Sequence, residues 1–490
     1  MDSETPELRN MTFSVLGPAA PVLAPRAGTL AIAGRKTLST PHYLPVTSRG
    51  VVPHISHDNV RKETAINGLY VGLEDSSSPP HKLFVPPTDN LCALGPISVI
   101  EKKHRSPVFK IPVEANESPL RKFMCASNDL PLVLAPRRFP AIPCPPVNTQ
   151  TSIAVSTSDG FHQLSAQQYI EATHKLKPDL VIGLADVVSG KPPGNKRRGK
   201  MVDRTHAYTR DALERLYGKT VAVDEKCKAA YFAPILPLDN AQQSLYLDDL
   251  ADEFRDRLSG LALYESDCLS FIPESLGDLP RLLISDPRGP HAILREVSLG
   301  ADLLTIPFVG DSSDAGIALD FTFPAPPRSA DEKEPLALGI DMWSSEYAKD
   351  TSPLREGCQC YACRRHHRAY FNHLLAAKEM AAWALLQMHN FHTMDLFFQG
   401  VRESIQRGSF EQDVEAFNRT YASTLPESTG QGPRLRAYQH PSGSNQPSRA
   451  LRVYGRLDDA LQKFQDSQSS VVTPDTDAEG LEKHGFAEKA

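Results

Sequence analysis

The chain has 490 residues, a formal net charge of −6 and a hydrophobic fraction of 40%. This length exceeds one small core and predicts one large domain with additions, or two to three domains. The weak acidity excludes a protein that binds nucleic acid through its overall charge, so such binding needs local basic patches. Neither a signal peptide nor an apolar run of membrane length is recognisable, which is typical of a soluble cytoplasmic protein in a reducing compartment.

Strand and helix patterns alternate over the first two thirds of the chain, after a short N-terminal β segment. The later strand-like apolar runs are 179–184, 229–236, 260–264, 281–285 and 301–308. The helical patterns among them are 166–176, 203–216, 244–258 and 290–298. Near-continuous apolar strands between helices indicate a parallel sheet covered on its outer face. The number of units predicts an α/β fold, a (β/α)8 barrel of the TIM type.

Three cysteines in one short segment carry the clearest chemical signal. Cys358, Cys360 and Cys363 lie within six residues, and His389 follows after 25 intervening residues. Three thiolates and one imidazole complete a tetrahedral set for Zn²⁺, and a closed set of four protein ligands has no position for substrate. The sequence therefore predicts one structural zinc ion per chain. The alternative is a chance cluster of reduced cysteines.

The identity of the fourth ligand stays open from the sequence alone. The competing histidines are His366, His367, His373 and His392. Residues 369–388 are rich in Ala, Leu, Met and Glu and contain neither Gly nor Pro, so they predict one long helix before His389. Further helices are expected at 394–407 and 410–421.

These patterns predict four regions. Residues 1–323 form a barrel with an N-terminal β segment, and 324–357 are an acidic, Pro-rich connection. Residues 358–422 form a zinc-binding helical subdomain that is added to the barrel. Residues 423–490 are mostly polar and Ser-rich, and we expect disorder there, with a further surface excursion at 75–90.

Several strings resemble the tRNA-guanine transglycosylases. Those of the zinc segment are Cys358-x-Cys360-x₂-Cys363, Arg368-Ala-Tyr370, His373-Leu-Leu375 and His389-Asn390. Residues 280–304 resemble the strand, helix and strand that lead to the family's nucleophile. The resemblance covers 10–422 and implies a (β/α)8 barrel with an inserted zinc subdomain, which exchanges the wobble guanine of certain tRNAs for a 7-deazaguanine base.

The chain departs from the family's pattern where catalysis takes place. Catalytic members attack the ribose with an aspartate in a Gly-Val-Asp-x-Phe-Asp string, whereas this chain has Gly300-Ala-Asp-Leu-Leu-Thr305. Their Asp-Ser-Gly-Gly-Phe-Gln loop resembles Thr157-Ser-Asp-Gly-Phe-His162 here. Their Gly-Gly pair is replaced by Leu263-Tyr264. With Thr305 in the nucleophile's place, the resemblance predicts no catalytic residue.

The resemblance also implies partners. Queuine-inserting members of the family are heterodimers of a catalytic chain and a non-catalytic paralogue that keeps the zinc, and this chain resembles the paralogue. We therefore expect a heterodimer with the catalytic queuine tRNA-ribosyltransferase subunit, contact with tRNA, and at most peripheral docking at the mitochondrial outer membrane. The candidate tRNA phosphate contacts are Lys196, Arg197, Arg198, Arg364 and Arg365.

Two other functions remain open. The first is an active base-exchange enzyme whose nucleophile has moved to Asp302, Asp311 or Asp314. The second is a zinc-containing RNA-binding protein without a transglycosylase partner. The basic segment 190–200 is in either case expected to be a loop, and Asp186 a solvent-facing loop acid.

Overall fold

The computed structural model describes residues 10–17, 23–76, 107–114, 116–144, 147–157, 160–190, 192–222, 226–327 and 334–433. They belong to one structural unit, which ends at Pro433. The expected excursion after residue 76 and the tail after residue 433 lie outside the described residues. The four predicted regions stay predictions.

The strands are β1 (Met11–Leu16), β2 (Ala27–Ile32), β3 (Leu38–Thr40), β4 (His42–Leu44), β5 (Leu69–Gly72), β6 (Leu132–Ala135), β7 (Ser152–Thr157), β8 (Gly160–Ser165), β9 (Leu180–Ile182), β10 (Ala230–Ile235), β11 (Gly260–Leu263), β12 (Arg281–Leu283), β13 (Leu303–Thr305), β14 (Ile317–Leu319) and β15 (Gly339–Asp341). Strands β1–β3 form an antiparallel sheet, and β7–β8 and β14–β15 form antiparallel pairs.

Eight parallel strands close into a barrel, which confirms the predicted (β/α)8 fold. Their order is β4-β13-β12-β11-β10-β9-β6-β5. The two edge strands then meet, because Val46 forms a parallel bridge with Tyr70. Two backbone hydrogen bonds complete this seam, from Thr47 N to Tyr70 O at 3.0 Å and from Tyr70 N to Pro45 O at 3.1 Å. The barrel therefore has no free sheet edge.

Buried side chains fill the barrel from within. Each barrel strand contributes one of Leu44, Tyr70, Val133, Leu180, Phe232, Ala262, Leu282 and Leu303 to a single apolar cluster. Leu30 of β2 and Leu38 of β3 belong to the same cluster, so the three-stranded sheet covers one end of the barrel. The carboxyl ends of the strands form the mouth, where (β/α)8 enzymes carry their active sites.

The helices are α1 (His57–Glu63), α2 (Leu73–Ser76), α3 (Pro119–Met124), α4 (Ala166–Leu176), α5 (Asn195–Tyr217), α6 (Asn240–Asp252), α7 (Pro290–Ser298), α8 (Phe308–Asp314), α9 (Tyr361–Arg365), α10 (Arg368–Ala376), α11 (Met380–Arg407) and α12 (Phe410–Thr420). None of these described helices is long and apolar enough to cross a membrane. Helix α5 begins at Asn195, so most of the segment 190–200 expected to be a loop is helical.

The prediction of one helix over 369–388 is wrong. Helix α10 ends at Ala376, Lys378 has a φ of +56°, and α11 begins at Met380. Backbone hydrogen bonds from Lys378 to Leu375 and from Glu379 to Leu374 close the turn between the two helices. The predicted helix at 394–407 is the second half of α11, and His389 lies inside this helix of 28 residues.

Helix α11 joins the barrel to the cysteine segment. In its second half, Asp395 accepts a hydrogen bond from the hydroxyl of Tyr43 at 2.6 Å, and Arg402 donates to the carbonyl of Pro41 at 2.9 Å. In its first half, Trp383 packs in an apolar cluster with Phe371 and the cysteines. One rigid element therefore connects β4 with the cysteine segment.

Residues 428–430, at the start of the region 423–490 for which we expect disorder, make defined contacts with the preceding residues. Ser428 donates a hydrogen bond to the carbonyl of Ala315 at 2.6 Å, and the hydroxyl of Thr429 donates to Asp341 at 2.5 Å. Gly430 lies against the indole ring of Trp343, where a Cβ atom would come within 2.0 Å of the ring. Residues 434–449 lie outside the described residues.

Candidate metal centre and barrel mouth

The predicted zinc ligands converge where the cysteine segment meets the middle of α11. The Nδ1 atom of His389 lies 3.8, 3.6 and 3.3 Å from the Sγ atoms of Cys358, Cys360 and Cys363. A tetrahedral zinc ion with Zn–S of about 2.3 Å and Zn–N of about 2.0 Å would separate its sulfur and nitrogen ligands by about 3.5 Å. The four donors therefore fit a tetrahedral divalent ion such as zinc.

Local backbone structure brings the three thiols together. Cys360 is the N-cap of α9, and its Sγ atom accepts a hydrogen bond from the backbone N–H of Cys363 at 3.3 Å. Gly357, with a φ of +73°, turns the chain just before Cys358. The Cys-x-Cys-x₂-Cys spacing therefore wraps a loop and the first helical turn around one point.

A second contact of His389 orients its ring. Its Nε2 atom lies 2.9 Å from the carbonyl oxygen of Leu319 in β14. Because a carbonyl only accepts, Nε2 would carry the proton of the neutral imidazole that a metal ion binds, and Nδ1 would offer its lone pair to the ion. Asn390 ties the same turn of the helix to β14, since its side chain accepts from Leu319 N at 2.8 Å and donates to Ile317 O at 3.0 Å. Such a contact behind a ligating histidine is common in metal sites.

The pKa values of His389, Cys358 and Cys360 are shifted by their mutual contacts and by Cys363. Burial lowers the pKa of His389, but hydrogen bonds to Cys358 and Cys363 outweigh it and raise that pKa to about 10. Hydrogen bonds from Cys360 and Cys363 lower the pKa of Cys358, and contacts with the other two thiols raise that of Cys360. Because a metal ion takes thiolates and neutral imidazole, its binding would release protons from this cluster.

The competing histidines lie outside the cluster of ligand atoms. In the described part of the chain, only Cys358, Cys360, Cys363 and His389 form a group whose donor atoms all lie within 4.8 Å of one another. The ring of His366 stacks on Tyr370 at 5.1 Å. His367 caps α10, accepting from Tyr370 N at 3.2 Å, and His373 is exposed. His392 contributes a hydrogen bond to Cys358 from the next turn of α11.

Thr305 lies at the barrel mouth, as the last residue of β13. Its side chain is fully buried, and its hydroxyl donates a hydrogen bond to the carbonyl oxygen of Ser285 at 2.8 Å. Ser285 follows β12, so both residues stand at the carboxyl ends of neighbouring strands. The hydroxyl therefore holds two strand ends together at the position where barrel enzymes place catalytic groups.

Asp302 lies at the opposite end of β13 and supports the fold. Arg26 donates two hydrogen bonds to its carboxylate, at 2.9 and 2.5 Å, and the backbone N–H of Arg281 donates a third at 2.8 Å. All three residues are at least 95% buried. The amino end of a barrel strand is a site of stability rather than catalysis. Asp302 is therefore a structural acceptor below the barrel core.

The two other aspartates weighed as relocated nucleophiles lie on α8. Asp314 pairs with Nε2 of His54, and its backbone carbonyl accepts from the indole of Trp383 at 3.3 Å. Asp311 is exposed in the first turn of the helix. Asp314 thus connects the loop after β4 with α11.

The residues 157–162, which resemble the family's Asp-Ser-Gly-Gly-Phe-Gln loop, lie at the turn of the β7–β8 hairpin. In the described part of the chain this hairpin is a sheet separate from the barrel; Ser158 and Asp159 are outside the described residues. At the barrel mouth, β6 is followed by Pro136, Arg137 and Arg138. The resemblance at 157–162 stays a prediction.

The expectation of a solvent-facing Asp186 is also wrong, because its side chain is fully buried. Arg197 donates two hydrogen bonds to the carboxylate, at 2.6 and 2.5 Å. Arg204 adds one at 3.0 Å, and the amide of Asn148 adds another at 2.5 Å. Burial raises the pKa of Asp186, but these hydrogen bonds outweigh it and the pKa is lowered. Two arginines from α5 thus stabilise a buried carboxylate after β9.

Comparison with known proteins assigns the family. A sequence model of the family described as queuine tRNA-ribosyltransferase matches residues 107–423, more than half of the chain. The chain belongs to the queuine tRNA-ribosyltransferase family. It is similar to the queuine tRNA-ribosyltransferase accessory subunit 2 of Schizosaccharomyces pombe, with 37% identity over 84% of this chain and 85% of the relative. Proteins of the same name from Xenopus tropicalis and Gallus gallus are 27% and 25% identical, over 80% and 79% of this chain and 95% and 93% of theirs.

Tyr264 occupies a further position at which the chain differs from the Gly-Gly pattern of catalytic family members. It follows β11 at the mouth and packs against the apolar cluster of the barrel interior. Burial raises the pKa of its hydroxyl to about 12. A neutral phenol ring therefore fills space that a glycine pair would leave open beside the mouth.

The five residues predicted to contact tRNA lie on two separate helices, α5 and α9. Arg197 is engaged with Asp186, and Arg198 donates to the carbonyl of Pro193 at 3.0 Å. Lys196, on the first turn of α5, is exposed. Arg364 and Arg365 are also exposed, on α9 beside the cysteines.

Proposed function

We propose that this chain is the non-catalytic accessory subunit of a heterodimeric queuine tRNA-ribosyltransferase. That enzyme would exchange the wobble guanine for queuine in tRNAs with GUN anticodons. The relatives named accessory subunit 2 from Schizosaccharomyces pombe and Xenopus tropicalis support the proposal, since they match 84% and 80% of this chain. The partner would be the catalytic subunit of the same enzyme.

Thr305 is the observation that carries the non-catalytic role. In the place of a carboxylate nucleophile it offers a hydroxyl that is already bonded to the carbonyl of Ser285 at 2.8 Å. A hydroxyl becomes a strong nucleophile only when a neighbouring base takes its proton, and a backbone carbonyl is not such a base. Asp302, the conserved-looking acid of the string, lies at the other end of the strand in an ion pair with Arg26.

Zinc would act as a structural ion held by Cys358, Cys360, Cys363 and His389. The fit rests on the donor set and on the proton at Nε2 of His389, which frees Nδ1. With four protein ligands the ion would hold the cysteine segment against α11 and take no part in chemistry. Since α11 also packs on β4, metal binding would stabilise the connection between this segment and the barrel.

The surface beside the metal centre is the proposed contact with the catalytic subunit. Tyr370 of α10 is 37% exposed and Met380 at the start of α11 is 55% exposed. Exposed large side chains at the start of each of two consecutive helices are suited to a protein interface. Lys196, Arg364 and Arg365 would add phosphate contacts to bound tRNA.

We further propose a cytoplasmic location with peripheral association at the mitochondrial outer membrane, which is what the resemblance to the family's accessory subunits implies.

Affinity purification of the full chain from its own cells tests the proposed function. The co-purified material is assayed for incorporation of queuine into tRNA, with the recombinant chain alone as the comparison. We expect a catalytic family member to co-purify, base exchange in the complex, and none with the chain alone. Tight tRNA binding without any catalytic partner would instead support a separate RNA-binding function.

A further inference from the structure

A cavity of about 170 Å³ lies beside the barrel mouth, next to the carboxyl ends of β6 and β9. It is lined by Arg137, Ile142, Cys144, Val147, Asn148, Val187, Val188, Ser189 and Arg197. Its volume is about tenfold the 10–15 Å³ that one water molecule needs. Neither Thr305 nor Tyr264 is among the residues that line it.

One wall of the cavity carries an excess of positive charge. Arg197 and Arg204 both bind the carboxylate of Asp186, at 2.5 and 3.0 Å. Two guanidinium groups against one carboxylate leave one net positive charge in this buried network. Asn148 lines the cavity and donates to the same carboxylate, so it joins this network to the opposite wall.

Arg137 also lines the cavity, and its hydrogen-bond acceptors among the described residues include no carboxylate. It donates to the backbone carbonyls of Ala154 at 3.0 Å and Val187 at 2.9 Å, and to the side-chain oxygen of Asn148 at 3.1 Å. A guanidinium has five N–H donors in a fixed fork. These three bonds fix the plane of the group over the cavity and leave donors for a ligand.

The neighbouring charges do not neutralise this excess. Arg138 is paired with Glu74 at 2.9 Å, with both side chains buried, so that pair is balanced. Burial raises the pKa of Cys144 to about 11, so its thiol stays neutral at the cavity wall. Among the described residues, four guanidinium groups therefore face two carboxylates, which gives a net charge of about +2.

We propose that this cavity binds a phosphate group. Guanidinium forks match the geometry of phosphate oxygens and bind them with two hydrogen bonds each. Only 23% of the Arg197 side chain is exposed, and this partial burial strengthens its attraction to an anion. The apolar side chains of Ile142, Val147 and Val187 also line the cavity. The same chemistry would accept a free phosphate or simple phosphate ester, or a backbone phosphate of RNA. The proposal does not depend on the chain being an accessory subunit.

Ser189 offers a test that leaves the arginine network in place. It lines the cavity and is partly exposed. Ser189→Asp adds a carboxylate to the cavity, and Ser189→Asn is the neutral control of nearly the same size. Inorganic phosphate is titrated into the full chain by calorimetry at fixed ionic strength. We expect saturable binding with a dissociation constant of about 1 mM or below, weakened at least about tenfold by Ser189→Asp and less than about twofold by Ser189→Asn.

The same variants distinguish the source of the phosphate. If Ser189→Asp weakens tRNA binding by a similar factor, the cavity takes a backbone phosphate of RNA; if tRNA binding is unchanged, it takes a free phosphate or ester. Absence of saturable phosphate binding by the unaltered chain, or equal losses in both variants, would overturn the proposal. Should Ser189→Asp fail to fold, Val188→Glu with Val188→Gln as its control provides the same comparison, because Val188 lines the same cavity and is exposed.

Discussion

The Nε2 atom of His389 donates a hydrogen bond to the carbonyl oxygen of Leu319 at 2.9 Å. The other ring nitrogen faces the three cysteine sulfurs at 3.3–3.8 Å. One imidazole thus connects the strand β14 with the cysteine segment from inside a helix that also packs on the barrel. The metal centre is for this reason part of the connection between the barrel and the surface proposed for the partner.

Loss of one thiol should release the metal. We expect Cys360→Ser to lower the zinc content of the purified chain from about one ion to well under half, since three remaining ligands hold zinc weakly. The melting temperature should fall in parallel. Metal analysis of the dialysed protein measures the first effect and calorimetry the second.

Cys125→Ser is the matched control, because Cys125 is an exposed free cysteine outside the cluster. Unchanged zinc content in Cys360→Ser would remove Cys360 from the ligand set. Equal loss in both variants would indicate a general effect of cysteine replacement.

We expect Asn390 to stabilise the folded chain as well as the metal centre. It is fully buried and makes hydrogen bonds with Ser313, Ile317 and Leu319, at 2.9, 3.0 and 2.8 Å. Asn390→Ala leaves backbone groups of β14 without partners, and we expect a loss of about 2–4 kcal/mol in the free energy of unfolding. Urea denaturation measures it. Gln399→Ala, on the exposed face of the same helix, should change stability by less than about 0.5 kcal/mol.

The proposed partner surface predicts a selective loss of assembly. Met380→Asp places a charge at the turn between α10 and α11, and we expect at least about a tenfold rise in the dissociation constant of the heterodimer. Leu245→Asp is the control, since Leu245 is 79% exposed on α6. Titration of the catalytic subunit by light scattering or calorimetry compares them. A larger effect of Leu245→Asp would place the partner on the α6 side instead.

Asp395 predicts a pH dependence of stability. Burial raises its pKa from 3.8 to about 6, although the hydroxyl of Tyr43 opposes this shift. The folded chain therefore binds more protons than the unfolded chain between about pH 4 and pH 6. Its contribution to the free energy of unfolding is present below pH 4 and is lost as the pH rises through 6, by at most about 3 kcal/mol.

Asp395→Asn removes this titration while keeping an acceptor for Tyr43. Urea unfolding at pH 5 and pH 7.5 should show a decline in the unaltered chain that the variant lacks. Other buried acids, such as Glu296 with a pKa raised to about 7 by burial, contribute to both proteins and cancel in the difference. If the free energy of unfolding declines equally between the two pH values in both proteins, Asp395 is not the source of the decline.

The clustering of the three cysteines could be predicted from the sequence because the three residues are close together in the chain. Cys-x-Cys-x₂-Cys fits one turn and the start of one helix, and only the histidine comes from far along the chain. The break at Lys378 was not predictable in this way. Ala377, Lys378 and Glu379 all favour helix, and a left-handed turn is expected at Gly or Asn. Packing of Phe371 and Trp383 in one apolar cluster outweighs that preference.

The buried carboxylate of Asp186 shows the same limit at the barrel mouth. Its partners lie 11 and 18 residues later in α5 and 38 residues earlier. In a sequence, a run of basic residues near an acid is typical of a solvated loop. Only the folded structure shows that the arginines of α5 contact Asp186. The alternation of strands and helices needed no such information, so the barrel followed from the pattern of apolar runs.

The substitution Thr305→Val tests whether this subunit takes part in catalysis. Valine keeps the branched shape of threonine and removes the hydrogen bond to Ser285, at a cost of about 1 kcal/mol in stability. Base exchange into tRNA is measured with the intact heterodimer that contains the variant. We expect kcat within about twofold of the unaltered complex, because catalysis belongs to the other subunit. A drop of about a hundredfold or more in an intact, zinc-replete complex would contradict it and make Thr305 a participant in the reaction.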